Sequence, residues 1–230
     1  MLDIVHEPRF RYLASIGGDI HNYQRYPVRV GDRTVQHVVS GGGGAFMHAT
    51  HLIDRIDPAA ALGVTEEEFR CYPLRRDSLA AYSRVLQGML GRLHIRLPVT
   101  LTPAEAAAVI AQRMNLPTFP GREVARLSDV PRYKRLVARL LLRVGGRLFH
   151  KWFSPFYDWD KPPFFKSFLR IDVTGDASVG QALVTCYAAT GCGGRAESDP
   201  PVEDQFVLRW GESQADRQKP ADQQAADPAR

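Results

Sequence analysis

The sequence predicts an α/β fold with strands toward both ends of the chain and helices between them. Early strands are predicted by apolar-rich runs on either side of Gly31-Asp32, and helices by two Thr-x-x-Glu signatures at Thr65/Glu68 and Thr102/Glu105. Late strands follow from the alternation of Leu169, Ile171 and Val173 with Arg170 and Asp172. A period of two places alternate side chains on opposite faces of a sheet, whereas a capping box satisfies orphan amides at a helix start.

Phe10 to Ile16 is a short apolar-rich run stopped by Gly17-Gly18, the pattern of a strand emptying into a loop. Val28 to Val30 and Thr34 to Val39 then flank a turn at Gly31-Asp32, because glycine accepts the positive φ of a tight hairpin. Gly41 to Gly44 close this segment. Helices are expected after Thr65, from Asp77-Ser78 through Leu90, and from Thr102 with Pro103 at the first helical position until Asn115-Leu116-Pro117. A last helix, from about Pro131 to Phe149, places Tyr133, Leu136, Val137, Leu140, Leu141 and Val144 near one face, and Gly145-Gly146 ends or bends it. Beyond Pro162-Pro163, the turn Thr174-Gly175-Asp176 joins the Leu169–Val173 strand to a partner bearing Ala182, Val184 and Cys186 on one face, and Phe206 to Trp210 adds a short strand. The chain thus divides at about residues 1–60, 61–150 and 151–210, and residues 211–230, without a large apolar side chain, are expected to be disordered.

At 230 residues, 44% hydrophobic and 24% charged, the composition excludes collagen, coiled coil and a wholly disordered chain. Three cysteines, Cys71, Cys186 and Cys192, without a CxxC pair, speak against a disulfide framework or a cysteine zinc site. No basic N-terminal region followed by an apolar core is present, and no apolar run reaches membrane-spanning length, so a cytoplasmic protein is expected.

Residue types that do chemistry are densest in Gly17-Gly18-Asp19-Ile20-His21-Asn22-Tyr23-Gln24-Arg25-Tyr26, directly after the first strand. A carboxylate and an imidazole two residues apart on a glycine-flanked loop suit a borderline or hard divalent metal. The same residues also suit a polar corner in which Asp19 caps a turn and His21 is a hydrogen-bonding residue. Gly41 to Gly44 offer backbone amides to an anion or form a loop between strand and helix. Tyr23 and Arg25 suit a phosphate at a pocket rim or a surface ion pair. His48 and His51, three apart, share a helical face if that segment is a helix, and His37 falls within a strand.

The string from Gly18 to Tyr26, followed by a hairpin, Ser40-Gly41-Gly42-Gly43-Gly44-Ala45-Phe46 and Thr50-His51, resembles the last metal-binding motif of the calcineurin-like metallophosphoesterases. The family's usual form is Gly-His-x-His, and here Asp19 replaces the first histidine. Trp159 to Arg170 resembles the way bacterial members re-enter the sheet after an insertion. The resemblance implies a partial two-sheet α/β/β/α sandwich with a helical insertion, and hydrolysis of a phosphomonoester or phosphodiester substrate. It implies His21 as ligand of one ion and Asp19 as ligand of the other in a dinuclear centre of Mn, Fe or Zn. It further implies Arg25 and Tyr23, with Gly42 and Gly43, as substrate contacts.

The family's other metal motifs, Asp-x-His, Gly-Asp-x-x-Asp and Gly-Asn-His, do not precede Gly18; His6-Glu7-Pro8 is too close to Asp19 to take the place of the last upstream histidine motif. Two ions about 3.5 to 4 Å apart need more ligands than one histidine and one aspartate. The chain is therefore expected to be a C-terminal portion, with a missing N-terminal half as partner, little activity alone, and a sheet edge or face left uncovered.

Nine basic residues between Arg122 and Lys151 stand against Glu123 and Asp129 only, a local charge of about +7 in a chain whose total is +5. The alternative to an enzyme is a non-catalytic binding or accessory protein. Its basic amphipathic helix, with Leu141, Leu142, Leu148, Phe149, Trp152 and Phe153 at its end, would lie on an anionic membrane surface or bind another anionic partner. A solvated face of a helix packed on the sheet is the plainer reading of the same charges. Nothing indicates a specific nucleic acid.

Overall fold

The computed structural model describes residues 11–43, 47–56, 63–116, 125–144, 165–189 and 199–211, which form a mixed α/β structure of two sheets and three helices. The readings that fell on His6 to Pro8, Gly44 to Phe46, Gly145-Gly146, Leu148 to Phe153, Trp159 to Phe164, Cys192 and the tail after Gly211 lie outside the described residues.

The first sheet has the order β1-β3-β2-β4, from β1 (Ala14–Gly17), β2 (Tyr23–Val30), β3 (Arg33–Ser40) and β4 (Arg70–Tyr72). The hairpin turn falls at Gly31-Asp32 as the sequence predicts, with Gly31 at φ +62° between paired Val30 and Arg33. The strand is longer than its apolar residues suggest: β2 begins at Tyr23, so Tyr23, Gln24, Arg25 and Tyr26 belong to the sheet. β1 runs parallel to β3, which puts the carboxyl ends of both strands at the same end of the sheet.

The residues after Thr65 do not make a helix. The Glu68 carboxylate accepts from the Thr65 amide and hydroxyl, but the Glu68 amide donates to the Thr65 carbonyl and not to its side chain, so half of the capping box is missing; the chain makes a single turn and Arg70–Tyr72 then pairs with Tyr23–Arg25 as β4. Burial of Phe69 and Tyr72, together with ladder bonds to β2, outweighs the local helical preference.

The helical layer holds α1 (Arg75–Arg92), α2 (Pro103–Met114) and α3 (Arg132–Val144). At α2 the predicted capping box is present: Thr102 accepts from the Glu105 amide, Glu105 accepts from the Thr102 amide, and Asn115 closes the helix in the left-handed conformation. The core of this layer unites Leu79, Leu101, Ile110, Val130, Ala138, Leu141 and Leu142. α3 thus faces inward through Ala138, Leu141 and Leu142 with Val137 packed beside them; of the stripe read from its sequence Val137 and Leu141 turn inward, whereas Tyr133, Leu136 and Leu140 point to solvent. Small Ala138 at the centre of the inward stripe allows close approach of neighbouring elements.

Arg75 ties the helices to the sheet. Its buried guanidinium pairs with Glu66, donates to the Ile53 and Asp54 carbonyls and stacks on Phe69.

The second sheet is the antiparallel meander β5 (Lys166–Gly175), β6 (Gly180–Ala189) and β7 (Val202–Trp210). Leu169, Ile171 and Val173 lie opposite Cys186, Val184 and Ala182, the pairing that the alternation predicts. The sheets meet where Tyr23, Val38 and Tyr72 pack against Cys186, Ala188, Leu169 and Phe206. On the opposite face of the first sheet, Val28 packs with Ile56, Val64 and Phe69. Ile171 and Val173, farther along the inward face of β5, are exposed, as is Ile16 on edge strand β1.

Candidate functional site

The loop after β1 and the loop after β3 converge because their strands are parallel. Asp19 sits at φ +76°, a left-handed conformation that aspartate tolerates, and its side chain is exposed. Asn22 N–H donates to the Ile20 carbonyl at 2.8 Å, and Gly41 N–H donates to the Asn22 carbonyl at 3.1 Å. Gly41 has to be glycine: a Cβ there would stand 2.1 Å from the Ile20 carbonyl oxygen. Gly42 is buried against β5, where its carbonyl accepts the Ser167 amide and a Cβ would meet Ser167 Oγ at 2.4 Å. Gly43 is exposed and has open space at its Cβ position. Of the two glycines read as substrate contacts, only Gly43 has its surroundings open, while Gly42 joins the sheets.

His21 is held by His48. The His21 amide donates to His48 Nδ1 at 2.8 Å, and the His48 amide donates to the His21 carbonyl at 3.0 Å. The rings stack at 4.6 Å between centroids with 15° between planes. Asn22 Nδ2 also donates to the His48 carbonyl at 3.1 Å. The spacing of His48 and His51 gave no indication of this, because it depends on a bridge across 27 residues.

Behind the loop runs a chain of polar groups along one face of β2. Tyr26 donates its hydroxyl proton to Gln24 Oε1, Gln24 Nε2 donates to Asn22 Oδ1 at 2.8 Å, and Asn22 continues to the His48 carbonyl. Asn22 and Gln24 are buried, so each unmade bond would carry a desolvation cost of about 1–3 kcal/mol.

Tyr23 and Arg25 occupy the other face of β2 and turn away from the loop toward the second sheet. Arg25 makes a two-pronged pair with Asp204, Nε to Oδ2 at 2.6 Å and Nη2 to Oδ1 at 3.0 Å, and lies 4.9 Å over the Phe206 ring. Tyr23 donates its hydroxyl to the same Asp204 Oδ2 at 2.7 Å. Burial, then the Asp204 hydrogen bond and charge, raise the Tyr23 phenol above its usual range. Burial alone would lower the Arg25 pKa, but the bond and charge of Asp204 carry the net shift upward. A phosphate binding at Arg25 would have to displace a buried carboxylate. Asp204, which the sequence left inside an unremarkable segment, is thus the third member of an inter-sheet cluster. Cys186 lies close by, its thiol pushed up to about 12 by burial and then by Asp204 and Glu203, so it is neutral at physiological pH and no thiolate ligand.

His51 and His37 lie apart from this loop. His51 is fully buried between Ser78 Oγ, 2.8 Å from Nδ1, and the edge of Tyr82. Its pKa falls to about 3 through burial and then the charge of Arg113, so the ring is neutral. His37 lies in β3 opposite Tyr26.

Among the described residues no cluster of three or more His, Cys, Asp or Glu side chains is placed to hold a metal ion. The donors at the loop, His21 with exposed Asp19, suit a divalent cation chemically but fall short of the three or four ligands a stable site needs. No helix among the described residues is long and apolar enough to cross a membrane. Comparison of the chain with protein-family models, with curated proteins and with solved structures returns no match.

Proposed function

We propose that the chain is the C-terminal portion of a metallophosphoesterase-type hydrolase of phosphomonoesters or phosphodiesters. In this reading His21 and Asp19 contribute ligands to a dinuclear Mn, Fe or Zn centre whose remaining ligands come from residues other than those described. The observation that supports it most is convergence. The loop bearing Asp19 and His21 and the glycine loop after β3 meet at the carboxyl end of the parallel pair β1/β3. Carboxyl ends of parallel strands are where α/β sheets place ligands, and glycine lets backbone amides approach an anion.

His48 orients His21 in this reading by fixing both its amide and its carbonyl. Exposed Gly43 is the glycine available to a phosphate, while Arg25 and Tyr23 act indirectly, by holding β2 against the second sheet through Asp204. When bound, a metal pair supplies charge neutralisation and an activated water. The chain's own part is to place one imidazole and one carboxylate.

The test is manganese titration of residues 1–230, followed through the His21 imidazole resonances, beside turnover of bis(p-nitrophenyl) phosphate. Weak broadening centred on His21 and lost in His21→Ala, with turnover near background, is the expected result. Manganese that leaves His21 untouched, or brisk turnover that survives His21→Ala, overturns the reading.

A further inference from the structure

The outward face of α3 carries an unexpected combination. Residues 132, 136, 139, 140 and 143 follow one another around a single side of a helix, and here they are Arg132, Leu136, Arg139, Leu140 and Arg143. Leu136 is 67% exposed and Leu140 55%, with Tyr133 beside them, and the three arginines are exposed as well. No acidic residue lies within α3. Lys134 on its flank is paired with Glu105, which leaves the cationic character of the face to the arginines. The inward stripe of Ala138, Leu141 and Leu142 is fully used in the helical core, so these leucines are not a frayed part of that core.

We propose that this face of α3 docks on an anionic phospholipid bilayer, with Leu136 and Leu140 dipping among the acyl chains, Tyr133 at headgroup level and Arg132, Arg139 and Arg143 on lipid phosphates. The occupant follows from the pairing of two chemistries on one side of one helix. Guanidinium forks match phosphate, and the interleaved aliphatic side chains gain only from a surface that offers hydrocarbon beneath its charge. A polyanion such as RNA or an acidic peptide satisfies the arginines and leaves the leucines in water. The face differs from the one the sequence suggests, since Leu141 and Leu142 are buried in the helical core.

Sedimentation of the full chain with phosphatidylcholine vesicles, with and without phosphatidylserine, tests the proposal. Binding is expected only with phosphatidylserine, weaker in high salt, and about five-fold weaker for each of Arg132→Gln, Arg139→Gln and Arg143→Gln. Leu136→Ser and Leu140→Ser should each weaken it by a similar factor, and Leu136→Trp should strengthen it. Because all these side chains face solvent, the variants leave the core intact. Val173→Ser, which removes an equally exposed apolar side chain from β5, should bind as the unaltered chain does. No sedimentation with phosphatidylserine vesicles, loss of binding in Val173→Ser, or polyuridylate or polyglutamate binding as tight as the vesicles and indifferent to Leu136→Ser, each overturns the proposal.

Discussion

Removing the Asp204 carboxylate should weaken the contact between the two sheets by as much as truncating one of the aromatic side chains buried there. Asp204 accepts from Arg25 through two nitrogens and from the Tyr23 hydroxyl, with side-chain exposures of 7% for Asp204 and 11% for Arg25. In Asp204→Ala the guanidinium stays buried over Phe206 and the phenol stays buried in the inter-sheet core, both without their acceptor. Breaking a buried ion pair by removing one partner costs about 3–5 kcal/mol. For a chain of 150–250 residues each kcal/mol moves Tm by about 2–4 °C, so a fall of roughly 6–20 °C is expected in a thermal melt followed by circular dichroism. The change Arg25→Met with Tyr23→Phe and Asp204→Leu removes the three members of the cluster together, leaving only Gln36 Oε1 and the Gln205 amide to find other partners, and should recover most of the loss, because buried ion pairs are commonly replaceable by apolar groups of similar volume. If Asp204→Ala costs less than about 1 kcal/mol, or the triple apolar variant is the worst of the set, then the cluster does not hold the sheets together and the reasoning fails.

Two further predictions concern the buried histidine and the glycine loop. Because His51 has its folded pKa lowered to about 3 from an ordinary value of 6.5, its contribution to stability is complete above pH 6.5 and is lost as pH falls from there toward 3. At pH 5.5 that loss is about 1.4 kcal/mol, read as a pH-dependent shift in urea midpoint that His51→Gln should flatten; equal pH slopes in both proteins would contradict it. Gly41→Ala forces a Cβ to within 2.1 Å of the Ile20 carbonyl and should cost about 1–3 kcal/mol or more while shifting the His21 imidazole resonances. Gly43→Ala, with open space at the same atom, should do neither, so similar effects from the two substitutions would sink the account of the loop.

What was legible in the sequence is what local physics decides. The Gly31 turn, the Thr102–Glu105 box and the β5–β6 pairing are each set by residues within a few positions or by a strict period of two, and the structure has them where the sequence puts them. Thr65–Glu68 carries the same local pattern and makes only a turn, since Arg70–Tyr72 finds a partner strand some 45 residues earlier that local spacing does not reveal. α3 shows a second kind of limit. Its period is readable, but six of its thirteen residues are leucine or valine spread around the helix, and only contact with Leu79 and Ile110 selects Leu141 and Leu142 as the buried pair. For the site, the sequence marks the loop at Asp19 and His21 but cannot show that His48 grips it or that Asp204 claims Arg25, because both partners arrive from far along the chain.

β2 has a division of labour that follows from its pleat. Its period of two sends Asn22, Gln24 and Tyr26 to one face and Tyr23 and Arg25 to the other, so a string that looks like one concentrated motif serves two separate structures. The first set braces the His21 loop through His48, and the second fastens the opposite sheet through Asp204. A substitution at Gln24 should therefore disturb His21 more than Asp204, and one at Arg25 the reverse, although the two residues are adjacent. The amides of His21, Asn22, Gly41 and His48 are already donated within the loop, and the Arg25 guanidinium is committed across the sheet interface, so an anion beside His21 would be left with exposed Gly43 as its open contact.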